Sequence, residues 1–380
     1  MVGWTRLARA GRARFQAWRA AGGGRAWGRL ALAVALTLPP AAAPADEAEA
    51  PAQGSSFLFV PYPVTEPAIG YGLLAGPVWL REGPKASSGP PKPQATGVGA
   101  LWTDGGTRGV VAFDRRAWAG GAWWSTAAAM DAELVLRYDG LRPGGDADVA
   151  LSLDIAGLSI KGERELPGER GVLGLRLFGS SVGLGFDADA PPELAFDASI
   201  RRVNGFSLSY LRDRRDDAYS PTSGQRLQLV LTDHASWLGA DFDAWSFGAR
   251  WTHYRAGLGR GVLGLRLAGD LSGGDPPFYL RPYVAIRGVP ALRYAGERGF
   301  SMELEHRWPV GERWDLLAFA GGGYARSTRG DGEGSATVEA GGVGVRFKAR
   351  KYFGMTFGLD VAQGPDGVTT YIQIGNAWAR

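Results

Sequence analysis

The stretch from Arg260 to Trp308 alternates apolar and polar side chains, and its polar side carries charges. Successive side chains of a strand point to opposite faces, so Leu263, Leu265 and Leu267 share one face. The same alternation returns at the far end in Phe300, Ser301, Met302, Glu303, Leu304, Glu305, Arg307 and Trp308. A face with this many charges cannot belong to an ordinary protein core. It fits a closed barrel with lipid outside and a polar, hydrated lumen.

Short alternating segments continue through the chain from Ser55 onward, divided by Gly, Pro, Asp and Asn residues. The predicted strands are 55–62, 68–81, 95–103, 108–118, 122–138, 148–165, 171–186, 203–214, 225–236, 242–257, 261–272, 298–309, 313–326, 335–349, 353–363 and 367–378. This count of about 16 is even, as single-chain outer-membrane barrels require. We therefore predict an all-β fold, a transmembrane antiparallel β-barrel over residues 55–380.

The lengths of the connections support this topology. If both termini are periplasmic, the long connections 187–203, 272–299 and 327–335 lie outside the cell, and most of the short ones lie in the periplasm. Long outer loops and short periplasmic turns are typical of such barrels. The connection 82–94 breaks this pattern, because it would be a long periplasmic turn. Either it is an exception, or the strand count is wrong near the start of the barrel.

Residues 1–45 have the composition of a secretory signal peptide. They contain seven arginines and no acidic residue, followed by an apolar run at 30–38 and a small-residue cleavage site, Ala43-Pro44-Ala45. The run is about half the ~20 residues that a spanning helix needs. We expect cleavage before Asp46, and a mobile segment at 46–54. No later apolar run reaches spanning length, so a membrane span has to be built from strands.

Removal of the signal peptide changes the charge balance. The whole chain has 42 Lys+Arg and 38 Asp+Glu, and subtracting the seven arginines leaves 35 against 38. The basic character therefore belongs to the export signal and does not indicate a nucleic-acid partner. The chain contains no cysteine, which excludes disulfides and thiolate chemistry. Its 59 glycines and 14 tryptophans suit bends inside barrels and aromatic girdles at the membrane interfaces.

A charged turn follows the predicted strand 203–214. Asp213, Arg215, Asp216, Pro221 and Gly224 resemble the D-x-R-D…P-x-x-G signature of the bacterial surface-antigen family. This is the superfamily of BamA/TamA-type outer-membrane assembly factors and two-partner secretion transporters. In physical terms, the strand ends in charge pairs at the barrel rim, and proline and glycine set a tight turn. An ordinary solvated turn is the alternative.

A second segment, Ile286-Arg287-Gly288-Val289, is similar to the V-R-G-[FY] motif of the same family. The resemblance implies an extracellular loop that folds back into the lumen. The family's arginine partner is the aspartate of an F-x-D-x-G strand, but here 319–323 reads Phe-Ala-Gly-Gly-Gly, with Gly321 at the acid position. A desolvated arginine needs a carboxylate. We expect Arg287 to lie inside the barrel within reach of Glu303 or Glu305; an exposed loop arginine is the alternative.

The resemblance extends from about Phe57 to Trp378, where 368–378 resembles the C-terminal strand of barrel proteins. It implies a sixteen-stranded barrel. Relatives in this family insert or translocate proteins or lipids, and a weak seam between their first and last strands assists this. Pro61, Pro63 and Pro67 fit such a seam, because each lacks a backbone N–H. Most relatives also carry periplasmic polypeptide-transport-associated domains, and the sequence leaves no room for one before the first strand.

Enzymatic chemistry has little support in this sequence. His234, His253 and His306 fall in separate strands, and neither zinc spacing nor a phosphate-binding loop is present. Asp331 and Glu333 could bind calcium, although a solvated acidic turn is more common. We therefore expect no enzyme activity, no cofactor and no resident metal. The expected partners are outer-membrane lipid and client membrane proteins or lipids. A passive channel in the bacterial outer membrane remains the alternative to an assembly factor.

Overall fold

The computed structural model describes residues 56–84, 94–138, 149–168, 171–186, 200–327, 334–349, 355–375 and 377–378. The predicted signal peptide and the expected mobile segment 46–54 lie outside the described residues. So do Asp331 and Glu333. None of the helices in the described ranges is long and apolar enough to cross a membrane.

Sixteen strands form one antiparallel sheet in which each strand pairs with the next along the chain. They are β1 (Ser56–Glu66), β2 (Gly70–Arg81), β3 (Gln94–Thr103), β4 (Arg108–Trp118), β5 (Trp123–Tyr138), β6 (Val149–Leu166), β7 (Gly171–Phe186), β8 (Ile200–Asp213), β9 (Gly224–His234), β10 (Ala244–Ala256), β11 (Val262–Gly274), β12 (Arg298–Pro309), β13 (Trp314–Ser327), β14 (Gly334–Ala349), β15 (Met355–Gly364) and β16 (Gly367–Ile374). The prediction of a sixteen-stranded barrel is confirmed. The long connection between β2 and β3 is real, so it did not signal a miscounted strand.

Alternation places apolar side chains outside and polar ones inside over much of the wall. On β12, Met302 is 47% exposed on the outer face, whereas its neighbour Glu303 is 2% exposed in the lumen. Met302 pairs across the strands with Leu267, so the leucines of β11 continue the outer apolar face. The charged residues that excluded an ordinary core therefore line the lumen.

The connection between β11 and β12 folds into the barrel. We call the end where it leaves the wall the loop end, and the end where β1 begins and β16 ends the terminal end. Near the loop end, Phe278, Tyr279 and Leu292 of this connection pack on buried Leu153 and Val182 of the inner wall. This apolar packing fills the lumen there.

Two boundaries differ from the prediction at the seam where β1 meets β16. β1 continues through Pro61 and Pro63 to Glu66, beyond the predicted end at residue 62. β16 ends at Ile374, not at Trp378 as predicted. Gly375 has a φ of +79°, a conformation that favours glycine, and the chain turns there. Trp378 therefore lies buried inside the barrel and not at the end of a lipid-facing strand.

The seam itself is joined by side chains. The described residues show no ladder pairing between β1 and β16, although every other neighbouring pair of strands has one. Instead, the hydroxyl of Thr65 accepts a hydrogen bond from the Ile372 backbone N–H (3.2 Å) and donates one to its carbonyl oxygen (3.4 Å). Farther along, the Thr370 N–H lies 3.5 Å from the Tyr71 hydroxyl. The barrel is thus nearly closed, with a weak contact at the seam.

Candidate functional site

The tip of the β11–β12 connection is held deep in the lumen by the wall around it. Arg266 of β11 donates a hydrogen bond to the Ala285 carbonyl oxygen (2.7 Å). The next residues turn back at Gly288, whose φ is +91°. A Cβ placed on Gly364 would lie 1.8 Å from the Gly288 carbonyl oxygen, so the tip reaches β15 because that position has no side chain.

Arg287, at this tip, is 8% exposed and surrounded by carboxylates. Its Nε and Nη2 donate to Glu303 Oε1 at 3.0 and 2.7 Å, and its backbone N–H donates to Glu303 Oε2 at 3.0 Å. Glu305 Oε2 forms an ion pair with Nη2 at 2.8 Å without a well-aligned hydrogen bond. The structure therefore places the expected arginine beside both expected glutamates.

A third carboxylate, Asp360 of β15, was not expected from the sequence. Arg287 Nη1 donates to Asp360 Oδ2 at 2.9 Å, and Arg346 of β14 binds the same carboxylate at both oxygens. The Gln373 amide of β16 donates to it at 2.8 Å. We call Arg287, Glu303, Glu305, Asp360 and Arg346 the loop-tip cluster. Alternation alone marks Asp360 as lumenal, but only the barrel's closure brings it to Arg287.

The glycine at the family's acid position has a physical explanation. Gly321 is the direct cross-strand neighbour of Glu303. A Cβ on Gly321 would lie 3.2 Å from the Cγ of Glu303, so the glycine makes room for the glutamate side chain. Phe319, two residues earlier, lies against the guanidinium of Arg287, with 3.7 Å between Cζ and the ring centroid. The carboxylate is thus supplied by β12, one strand away from the position that the resemblance implied.

The last strand and the segment after it also contact the loop tip, which sequence reasoning missed. The Gly288 backbone N–H donates to the hydroxyl of Tyr371 on β16 (2.9 Å). Trp378 donates its indole N–H to Glu303 Oε1 and packs near Tyr254, with 5.7 Å between ring centroids. A cavity of about 270 Å³ remains beside Trp378 and the tip. The one sequence signal was a tryptophan placed beyond a strand-ending glycine.

The predicted turn motif forms the connection between β8 and β9. Asp213 Oδ2 accepts a hydrogen bond from Arg215 Nη2 at 2.6 Å. Asp216 accepts hydrogen bonds from the backbone N–H groups of Thr222 and Ser223 and from the Thr222 hydroxyl. Burial alone would raise the pKa of Asp216, but these hydrogen bonds outweigh it and hold the pKa below its ordinary value.

The end of this turn is fixed by glycine and proline and reaches the lumen. Gly224 has a φ of +96°, and a Cβ there would lie 2.1 Å from the Arg214 carbonyl oxygen. Arg307 of β12 donates to the Ser220 hydroxyl (3.1 Å) and to the carbonyl oxygen of buried Pro221. Arg307 also lies 3.7 Å from Glu305. The two motifs, separate in sequence, therefore meet through Arg307.

The three histidines contact neighbouring aromatic rings or backbone groups. In the part of the chain that the structure describes, no group of three or more His, Asp or Glu residues is arranged to hold a metal ion. His253 stacks on Trp251 on the outer face, and His306 accepts a hydrogen bond from the Leu258 N–H (2.9 Å). His234 packs between Phe178 and Phe242. Each histidine thus has a packing or turn-capping role.

The fold has counterparts among solved structures. No protein-family model matches this chain, and no curated protein does. A crystal structure of BamA from Haemophilus ducreyi lacking POTRA domains 1–3 matches with a TM-score of 0.59 and 11% identity, covering 85% of this chain and 70% of that one. CdiB from Escherichia coli matches with a TM-score of 0.58 and 14% identity, covering 86% and 63%. CdiB from Acinetobacter baumannii matches with a TM-score of 0.54 and 12% identity, covering 86% and 60%. At such identities the likeness concerns the fold.

Proposed function

We propose that this protein is a bacterial outer-membrane barrel of the BamA/TamA type that assists the insertion or translocation of protein or lipid, without enzymatic activity. The observation that carries the proposal is the seam. β16 has eight residues and meets β1 through the Thr65 hydroxyl, whereas the other strands share full ladders. A barrel wall that opens at one place gives a membrane-bound client a lateral path.

The cost of opening the seam is small compared with opening any other pair of strands. A typical hydrogen bond contributes about 0.5–1.5 kcal/mol net. Two described hydrogen bonds join the Thr65 side chain of β1 to Ile372, and a third joins Thr370 to the side chain of Tyr71 on β2. Pro63, level with the end of β16, lowers the cost further, since it has no N–H to donate. Opening a complete ladder such as that of β12 and β13 would break far more bonds.

The loop-tip cluster supports a gating role for the lumen. Arg287 ties the β11–β12 connection to β12 and β15, and Gly288 ties it to β16, the strand at the seam. We propose that the motif residues Ile286, Arg287 and Gly288, with Glu303 and Glu305, set the position of β16. The turn residues Asp213, Arg215, Asp216, Pro221 and Gly224 would then brace the same cluster from the terminal end through Arg307.

Cross-linking the seam tests the proposal. The chain has no cysteine, so the pair Thr65→Cys/Ile372→Cys can be joined by oxidation or by a short thiol cross-linker without side reactions. The matched control pair, Leu304→Cys/Ala320→Cys, joins the outer faces of β12 and β13, which are already fully paired. The measurement is the rate at which an unfolded small β-barrel protein becomes protease-resistant in vesicles containing each variant.

We expect the cross-linked seam to lose most of the rate and to regain it on reduction, while the control pair is unaffected. If the client becomes protease-resistant at an unchanged rate while the seam is cross-linked, insertion does not require lateral opening of the seam. A barrel that accelerates no client but conducts ions freely would instead be the passive channel, the alternative from a different functional class.

A further inference from the structure

The lumen wall near the seam is apolar, unlike the charged wall at β12. Glu66 marks the lumenal face of β1, because its carboxylate accepts a hydrogen bond from Ala291 of the inserted connection. Side chains at every second position along β1 and its register partners share that face. They form an apolar wall composed of Leu58, Val60, Tyr62, Leu74, Val78, Leu101, Val111, Phe113 and Met130. Met130, in a fully paired strand, is still 41% exposed, so open lumen lies in front of this wall.

A row of cations borders the apolar wall toward the terminal end. Arg115 faces Thr126 across β4 and β5, Thr126 faces Lys161 across β5 and β6, and Lys161 faces Arg176 across β6 and β7. We call Arg115, Lys161 and Arg176 the cationic row. Two of its charges share Glu163, which lies 2.7 Å from Lys161 and 3.7 Å from Arg115.

Arg176 is the member of the cationic row whose charge has no acidic partner among the described residues. It is exposed to the lumen, and its guanidinium lies over the ring of Phe178, with 5.2 Å between Cζ and the centroid. Within the described ranges, no carboxylate lies within ion-pair distance of its guanidinium. An exposed guanidinium without an acidic partner is available to donate hydrogen bonds to an anionic group.

The two surfaces adjoin along the strands. Phe113 is two residues from Arg115 on β4 and shares a cross-strand row with Gly97, Val78 and Leu58. Arg115 itself shares a row with Ala95, Leu80 and Ser56 at the start of β1. A ligand whose anionic group lies on the cationic row therefore has its next atoms against apolar side chains.

We propose that this wall is a binding site for an anionic glycerophospholipid, with the phosphate on Arg115, Lys161 and Arg176 and the acyl chains against the apolar wall. Water does not satisfy the apolar wall well, since exposed apolar area costs roughly 25 cal/mol per Å². Guanidinium and ammonium groups are the preferred phosphate donors in proteins. A phosphate with apolar chains complements both surfaces at once.

The seam supplies a route for such a lipid. Thr65 meets Ile372 and the strands run in opposite directions, so β16 ends about level with Pro63. Among the described residues, the first residues of β1 are therefore paired with β2 but have no strand on their other edge. The apolar wall begins at this uncovered edge with Leu58. The cationic row lies at the terminal end, beside the aromatic residues Trp118 and Trp123 that mark the membrane interface on that side. A lipid from the periplasmic leaflet fits that position. The site does not depend on client insertion, so it can be present in either functional class.

Binding of phosphatidylglycerol tests the proposal. The full-length barrel is purified in a non-ionic detergent, supplied with phosphatidylglycerol or phosphatidylcholine, and analysed by native mass spectrometry for lipid retained after activation. We expect one tightly held phosphatidylglycerol and no equivalent phosphatidylcholine. In Lys161→Gln/Arg176→Gln, retention should fall at least about tenfold, because two charge-assisted hydrogen bonds are lost.

A matched control separates this site from lipid on the outer surface. Arg164 lies three residues from Lys161 on β6 but on the outer face, stacked on Trp123 with 5.1 Å between Cζ and the ring centroid. Arg164→Gln should change retention by less than about twofold. Equal losses in the two variants, or no preference for phosphatidylglycerol in the wild type, would overturn the proposal.

Two further measurements keep the test decisive. If the double variant fails to fold, Arg176→Lys preserves the charge and should retain the lipid, whereas Arg176→Gln should lose it. Glycerol phosphate, which has the headgroup charge without acyl chains, should not displace the lipid. Displacement by glycerol phosphate, or by an acidic peptide, at comparable concentration would contradict a site that requires the apolar wall.

Discussion

Arg287 is the residue through which the inserted connection contacts the barrel wall. Its guanidinium is shared by Glu303 and Glu305 on β12 and Asp360 on β15. Alternation predicted that both glutamates face the lumen, and the resemblance predicted that the arginine lies there too. The expectation that they meet followed from the cost of leaving a desolvated arginine unpaired. Asp360 could not be assigned, because it is 73 residues from Arg287 and only the closed wall brings them together.

Removal of Arg287 should therefore destabilise the protein strongly. Arg287→Ala would leave three buried carboxylates near one another, with Arg346, Arg307 and Arg266 as neighbouring cations, and breaking a buried ion pair costs about 3–5 kcal/mol. The measurement is the urea midpoint of unfolding, followed by the mobility shift of the folded barrel in gels. Arg293→Ala removes a more exposed pairing with Asp366 and should cost at most about 1 kcal/mol. Equal midpoints for the two variants would mean that the cluster does not hold the loop.

The glycine at position 321 yields a second prediction at the scale of single residues. Gly321→Asp should destabilise the barrel, because its Cβ would press on Glu303 and a fourth carboxylate would join the cluster. Gly321→Asp/Glu303→Ala moves the acid to the neighbouring strand and should recover part of the lost stability. Urea midpoints of the two variants measure the effect. A double variant less stable than Gly321→Asp would show that the two positions are not interchangeable.

At the scale of elements, β16 departs most from its prediction. The predicted strand extended through residues 375–378, although Asn376 stands where the alternation expects an apolar residue. The turn at Gly375 ends the strand, and Trp378 turns to partners in the lumen. Those partners cannot be assigned from the sequence, since Glu303 lies 75 residues away. The remaining strands were predicted to within a few residues because each one satisfies the period-two pattern locally.

Trp378 should hold this segment inside the barrel. Trp378→Phe keeps most of the packing and removes the indole N–H, so we expect a loss of about 1.5–3 kcal/mol, the usual contribution of a hydrogen bond to a charged group. Trp237→Phe is the control, because Trp237 is 74% exposed. Its midpoint should move by less than about 0.5 kcal/mol. If both variants unfold at the same urea concentration as the wild type, the contact with Glu303 contributes nothing.

The β8–β9 turn gives a prediction about pH. Hydrogen bonds hold the pKa of Asp216 below its ordinary value, so its contribution to stability is complete above the unfolded pKa and is lost as pH falls through the folded one. The loss should therefore appear below about pH 4. Folded fraction measured from pH 7 to pH 2 should fall less steeply in Asp216→Asn than in the wild type. Glu312→Gln, in another turn at the same end, should leave the pH profile unchanged. A similar flattening in Glu312→Gln would show that the loss of stability at low pH does not come from Asp216.

At the scale of the whole molecule, the periodicity of the chain was sufficient to predict a sixteen-stranded barrel, because lipid on one side and a polar lumen on the other require two different faces. The residues that line the lumen near the seam could not be predicted in the same way. Leu58, Val60 and Met130 look like lipid-facing residues in the sequence, and only the register places them inside. The seam likewise depends on where two distant strands end.

In the proposed gating role, the inserted connection closes the lumen and Arg287 holds it in place. Ion conductance across planar bilayers, measured for the wild type and for Arg287→Ala, tests it most directly. We predict low conductance for the wild type and frequent large openings for the variant, because the loop tip is released from β12 and β15. Large and equal conductance in both would contradict a gating role for the loop-tip cluster and favour a passive channel.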